Sequence, residues 1–279
     1  MAIAKLSGLI KDSMIRGGII TALSASALVY SVSILTGLPV RVEFIIIVFL
    51  LSSVVYFSNF LGEMKSDFVD KPEEYRLLKK QNLLLCSIIF VLIVSCLAIS
   101  WAYGNKWSII FVLFFIVFGF LYTFKIKSFT KQVAGFKDIY VALCWNLVIP
   151  FFLLFHNYHM SWKIFFLMVL VFSRDLMNAS YCDLKDLDLD KKQGLLTFAN
   201  YLGVRKFFVF LTILNVFSVL MVVLGILMGI LPSVSLAIII SVGLVSLLID
   251  ISKHTASYST LNVDVEYLLW FLLLNAFLL

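Results

Sequence analysis

An all-α, polytopic membrane fold is what this sequence predicts, on three observations. Hydrophobic residues make up 62% of the 279-residue chain and charged residues only 14%, with a mean hydropathy of +1.07, outside the range of water-soluble domains. The apolar residues gather into runs of roughly 17–25, the length a helix rising 1.5 Å per residue needs to cross about 30 Å of hydrocarbon. These runs lack the ten-residue alternation of a membrane barrel, so helices that satisfy their own backbone hydrogen bonds are expected.

Nine runs can be drawn, over about residues 17–37, 42–62, 83–103, 107–124, 138–156, 162–182, 206–228, 232–251 and 263–279. The first follows Lys5, Lys11, Asp12 and Arg16. No small-residue cleavage site follows a short apolar core, so it reads as a retained span and not a secretory signal. The second finishes in NFLGEMKSD, an amide and two acids, and the fifth opens with KDIYVALCWN. The sixth carries Arg174 and Asp175 inside the apolar run. Only Leu231 and Pro232 divide the seventh from the eighth, and the ninth is short. Residues 1–279 read as a single transmembrane domain.

Lys and Arg in short loops are retained on the cytoplasmic side. They gather at the N-terminus and after the even-numbered runs: Lys65, Lys71, Arg76, Lys79 and Lys80; Lys125, Lys127, Lys131 and Lys137; Lys185, Lys191, Lys192, Arg205 and Lys206; and Lys253. The opposite face holds only Arg41, Lys106 and Lys163. The N-terminus is therefore expected in the cytoplasm and, with nine spans, the C-terminus outside. The cysteines Cys86, Cys96, Cys144 and Cys182 have no metal-ligand spacing and read as small packing residues. His156, His159 and His254 have no partner in sequence and read as solvated.

The acids are not spread evenly. Glu63, Asp67, Asp70, Glu73 and Glu74 follow the second run, and Asp183, Asp186, Asp188 and Asp190 follow the sixth, on the same expected face. Acids do little to set topology, so orientation gives no reason for them to gather there. Asn59, Glu63 and Asp67 run i, i+4, i+8, while Asp183, Asp186 and Asp190 run i, i+3, i+7. On a helix each set forms a column of oxygen ligands on one side. Such columns, without His or Cys, suit a hard cation, and Mg2+ is usually held by one or two carboxylates, water and substrate phosphates. Either set alone also reads as a solvated helix end balanced by lysines. Two sets at helical spacing on one face favour a Mg2+-bound diphosphate at the mouth of a membrane cavity.

These residues resemble the UbiA superfamily of intramembrane prenyltransferases, whose members carry two Asp-rich motifs after the second and sixth of nine helices. The first family motif, N-D-x-x-D-x-x-x-D, is answered by Asn59, Glu63 and Asp67, with Phe60 where Asp is usual. The second, D-x-x-D-x-x-x-D followed by G-x-x-T, is answered by Asp183, Asp186, Asp190, Gly194 and Thr197. LYTFKIK offers Tyr122 with Lys125 or Lys127 for the family's Tyr and Lys at the end of the fourth helix. KDIYVALCWN resembles its Lys-Asn segment, with Asp138 for Asn.

The resemblance implies a nine-helix bundle around a central cavity open to the cytoplasm, an isoprenyl diphosphate donor and an aromatic or other lipophilic acceptor. Asn59, Glu63, Asp67, Asp183, Asp186 and Asp190 are then Mg2+ ligands, with Asp67 and Asp183 the catalytic acids. Tyr122, Lys125, Lys127, Lys185 and Arg76 are diphosphate-binding. Asn146, Arg174 and Asn178 are candidates for the pocket. Arg174 and Asp175 lie roughly 12–13 Å below Asp183 by helix rise; they pair with each other, bind neighbouring helices or line the pocket. With 27 Phe, 11 Tyr and 5 Trp, the chain has ample aromatic surface to stabilise an allylic cation. A related terpene cyclase that uses no acceptor and an ion-coupled transporter are the alternatives. Nothing points to nucleic acid.

Overall fold

The computed structural model describes residues 18–67, 79, 82–124, 126–255, 258 and 261–278, with the backbone alone at 63–67, 123–124, 126–128 and 261–262. All regular structure among them is helical. The longer helices are α1 (Ile20–Thr36), α2 (Val42–Asp67), α3 (Asn82–Tyr103), α4 (Lys106–Phe124), α5 (Phe136–Asn146), α6 (Val148–His156) and α7 (Trp162–Cys182). Two short helices follow, α8 (Leu187–Lys192) and α9 (Phe198–Leu202), then α10 (Val204–Leu227), α11 (Leu236–Thr255), α12 (Leu261–Asp264) and α13 (Glu266–Leu278). Among the described residues, six stretches are long and apolar enough to cross a membrane: Val42–Gly62, Asn82–Tyr103, Phe136–His156, Trp162–Cys182, Val204–Leu227 and Ser233–Thr255. The apolar helices Ile20–Thr36, Lys106–Tyr122 and Glu266–Leu278 are shorter.

Local chemistry explains the boundaries. The fifth run is two helices, interrupted at Leu147. Pro150 has no N–H to offer the carbonyl of Asn146, yet it sits in the first turn of α6, where a missing donor is tolerated. Gly229 adopts φ 68° and closes α10 with a Schellman pair, Ile230 N–H to Gly225 O at 2.8 Å and Gly229 N–H to Ile226 O at 3.0 Å. Pro232 follows and cannot extend the helix, so the seventh and eighth runs stay separate.

The chain divides into two compact units. One holds residues up to Ser26 with Val42–Ile126; the other holds Ala27–Arg41 and the chain from Lys127 on. In the first, α2 packs on α3 and α4, through a core of Val54, Phe57 and Ile89 with Leu92 and Phe120 against it. Cys96 is fully buried there, as a small packing residue should be. In the second, α7 is flanked by α5 and α10, and α11 packs on α10 and α13. Met177, Tyr181, Phe207, Leu211, Val245 and Ile249 form the core beneath the end of α7. His156 is not merely solvated in this unit: its Nε2 accepts from Arg41 N–H at 3.0 Å and its Nδ1 lies 2.9 Å from Phe152 O. Tyr158 stacks on its ring and donates to Pro39 O at 3.0 Å.

Candidate functional site

The end of α7 carries the second acidic set. The helix stops at Cys182, and residues 183–186 continue as a tight turn in which Asp183, Leu184, Lys185 and Asp186 each donate to the carbonyl three residues earlier. With fewer residues per turn than an α-helix, the set does not stay in one column. Asp183 and Asp190 are turned inward, each 2% exposed, while Asp186 and Lys185 face outward. The glycine and threonine that follow have structural work. Gly194 takes φ 70° and lets Leu195 N–H reach Asp190 O at 2.9 Å. Thr197 caps α9, accepting from Asn200 N–H at 3.3 Å.

Facing these acids is the start of α5. Lys137 Nζ lies 2.6 Å from Asp183 Oδ1 and 3.5 Å from Asp190 Oδ2. Asp138, 1% exposed, lies beside Asp183 and accepts from Phe198 N–H at 3.4 Å. Backbone bonds stitch the two segments together: Gly135 N–H to Leu196 O at 2.7 Å and Leu196 N–H to Thr130 O at 2.9 Å. Gly135 is needed for this. It sits at φ 68°, and a Cβ there would lie 2.2 Å from Cζ of Phe198. Gly135→Ala should therefore cost about 2 kcal/mol or more from the left-handed backbone and the clash. Unfolding of the purified variant in denaturant checks this, and Phe198→Leu added to it should restore part of the loss.

The acids fit a hard cation. Asp183 Oδ2 and Asp138 Oδ1 are buried with no hydrogen-bond donor. Two ionised carboxylates cannot satisfy each other, so a proton or a cation must lie between them, and an unsatisfied buried polar atom is costly. Among the described residues no group of three or more His, Cys, Asp or Glu is close enough to hold a metal by itself. Mg2+ takes few carboxylates and fills its remaining positions with water and phosphate oxygens.

The first acidic set belongs to α2. Helix α2 runs on through Asp67, so positions 59, 63 and 67 keep their helical spacing. The side chains of Glu63 and Asp67 lie outside the described residues, as do Lys125, Arg76 and the side chain of Lys127. Asn59 and Tyr122 are half-buried. Asn146 donates to Met168 O at 2.6 Å, tying α5 to α7. Asn178 keeps a buried, undonated Oδ1.

Arg174 does not pair with its neighbour Asp175. It is 0% exposed, with Nε 2.6 Å from Glu266 Oε1 and Nη2 2.9 Å from Oε2, and its Nη1 donates to Asn215 Oδ1. Asn215 passes the chain on to Ser246 Oγ at 2.9 Å. Asp175 accepts from the Tyr267 hydroxyl. Glu266, Tyr267 and Asn215 had a readable signal: an apolar run holding an Arg needs a buried acid in another run, and Glu266 opens the ninth. Lys137 and Asp138 were visible through the segment KDIYVALCWN, but nothing in the sequence placed them beside the acids.

A multi-span helical membrane protein with buried carboxylates gathered where a span ends is the class these features define. The model of the UbiA prenyltransferase family matches residues 18–272, and the chain belongs to that family. Among solved structures, the apo form of a UbiA homologue from Aeropyrum pernix K1 aligns with a TM-score of 0.70 at 11% identity, covering 93% of this chain and 98% of that one. A UbiA homologue from Archaeoglobus fulgidus aligns with a TM-score of 0.67 at 14% identity, covering 95% and 98%. A structure of an A. fulgidus homologue bound to GPP and Mg2+ gives 0.64 at 15%, covering 94% and 99%. At these identities the likeness is one of fold. None of the curated proteins matches this sequence.

Proposed function

We propose that this chain transfers an isoprenyl group from an isoprenyl diphosphate to a lipophilic acceptor, with Mg2+ as cofactor. The observation that carries the reading is the cluster of buried Asp138, Asp183 and Asp190 with Lys137 against it, two carboxylate oxygens having no hydrogen-bond partner. Family membership and the relative bound to GPP and Mg2+ support it. Asn59, Glu63 and Asp67 of the first set and Asp183, Asp186 and Asp190 of the second would hold Mg2+, with Asp67 and Asp183 essential. Bound there, Mg2+ supplies positive charge that stabilises the leaving diphosphate.

The allylic carbon–oxygen bond breaks, its electron pair departing on the diphosphate, while Tyr122, Lys125, Lys127, Lys185 and Arg76 take up the added negative charge. The allylic cation accepts an electron pair from the acceptor, forming the new bond, and the acceptor loses a proton. An apolar surround keeps water from the cation. Of the pocket candidates, Asn178 keeps an acceptor atom with no hydrogen-bond partner that could orient a substrate, whereas Asn146 and Arg174 already hold helices together. In this reading nine helices cross the bilayer as one domain, with the N-terminus and both acidic sets on the cytoplasmic side, as the distribution of Lys and Arg supports.

The test is mass spectrometry of lipids made by the purified protein in nanodiscs. It is given geranyl, farnesyl or geranylgeranyl diphosphate, with and without quinone precursors, with and without Mg2+. Mg2+-dependent diphosphate release coupled to a prenylated acceptor is expected. A cyclic hydrocarbon formed without acceptor would instead select the cyclase, the reading that Phe60 and Glu63 in the first set keep open. No diphosphate release from any donor defeats both.

A further inference from the structure

We propose that Lys137 is the resident counter-cation of the second acidic set, competing with a divalent ion for Asp183 and Asp190, so that metal is held tightly only together with a diphosphate. The proposal rests on the metal-site reading above and adds an order to it.

Three features carry it. Lys137 Nζ occupies the oxygens a metal needs, 2.6 Å from Asp183 Oδ1 and 3.5 Å from Asp190 Oδ2. Mg2+ binds oxygens at about 2.0–2.1 Å, so an ion on the same carboxylates would stand within a few ångströms of the ammonium and be repelled by it. Second, the pairing is built into the fold. The backbone bonds of Gly135 and Leu196 and the bond from Phe198 N–H to Asp138 fix the start of α5 beside residues 183–198, and the acid side chains are only 3% exposed against 15% for Lys137.

Third, Asp183 Oδ2 and Asp138 Oδ1 are buried with no hydrogen-bond partner. Those oxygens can take a further cation, which Lys137 repels while it stays. A diphosphate resolves the conflict by offering anionic oxygens to the ammonium, whose flexible four-carbon stem can follow them. Metal and diphosphate then bind with positive coupling, which must be reciprocal.

Mn2+ serves as the probe, its free concentration read by electron paramagnetic resonance, with the full chain in nanodiscs. The unreactive thiolo analogue of geranyl diphosphate serves as the anion, with protein-free titrations subtracted. Wild type should bind Mn2+ at least about tenfold tighter with the analogue than without. Lys137→Met should bind Mn2+ alone about tenfold tighter than wild type does, and the gain from the analogue should shrink to about threefold or less. Unchanged or weaker Mn2+ binding by Lys137→Met, with the wild-type gain retained, overturns the proposal.

A second readout uses Lys137→Gln, whose Tm should rise more on adding Mn2+ than that of wild type; an equal or smaller rise counts against the proposal. Asp183→Asn is the control for the underlying reading. If it binds Mn2+ as wild type does in the presence of the analogue, the metal site itself is misassigned. Lost binding in Asp183→Asn with wild-type behaviour in Lys137→Met defeats only the competition.

Discussion

Glu266→Leu is expected to destabilise the protein by about 3–5 kcal/mol, because it strands a guanidinium in the middle of α7. Arg174 and Glu266 are both 0% exposed and meet in a two-point fork at 2.6 and 2.9 Å, the geometry that suits planar guanidinium and carboxylate best. In hydrocarbon an unpaired charge has no water to turn to, and Asn215 can offset only part of the loss. Glu266→Gln, which keeps one acceptor oxygen, should cost less. Arg174→Leu combined with Glu266→Leu should recover at least half of the single-variant loss, since the expense lies in the uncompensated charge. Denaturant unfolding of the detergent-solubilised protein measures all of these. A Glu266→Leu protein within about 1 kcal/mol of wild type would show that the pair is not holding α13 against α7.

That pair also shows where the sequence stops being informative. Helix positions were legible because hydrocarbon thickness dictates how many apolar residues must run together, and helices occupy each of the nine runs. Breaks within runs were legible only in retrospect: Pro150 withholds a donor from Asn146, yet nothing in the hydropathy separates α5 from α6. Pairings between helices were less legible, since partners such as Arg174 and Glu266 are 92 residues apart and are chosen by packing.

The second acidic set was read as a column on one helix face. The tight turn at 183–186 breaks that column, keeping Asp183 and Asp190 together and sending Asp186 outward. Lys137 and Asp138 were legible as a segment resembling the family's Lys-Asn pair but not as neighbours of Asp183, because the bonds that bring them there begin at Gly135 and Leu196, whose importance is a matter of backbone conformation.

Asp183→Asn is expected to lower kcat/KM for Mg2+-dependent diphosphate release by on the order of 10³, equivalent to about 4 kcal/mol of transition-state stabilisation. The carboxylate is buried, so no water shell replaces the lost charge. It also holds the shorter of the two Lys137 contacts, at 2.6 Å against 3.5 Å to Asp190, so its loss disturbs the ammonium as well. Asp186→Asn should cost only about tenfold, because a charge exposed to solvent is screened and its loss is partly made good by water. The first set is predicted to behave like Asp183 at Asp67.

Asp183→Asn should also need more Mg2+ for half-maximal rate than wild type. A variant merely misfolded in part would show a lower amplitude at an unchanged Mg2+ requirement, so the Mg2+ dependence separates a lost ligand from a lost fold. Wild-type turnover by both Asp183→Asn and Asp67→Asn would remove the acidic sets from the chemistry altogether and leave the buried cluster at the end of α7 with a role in folding alone.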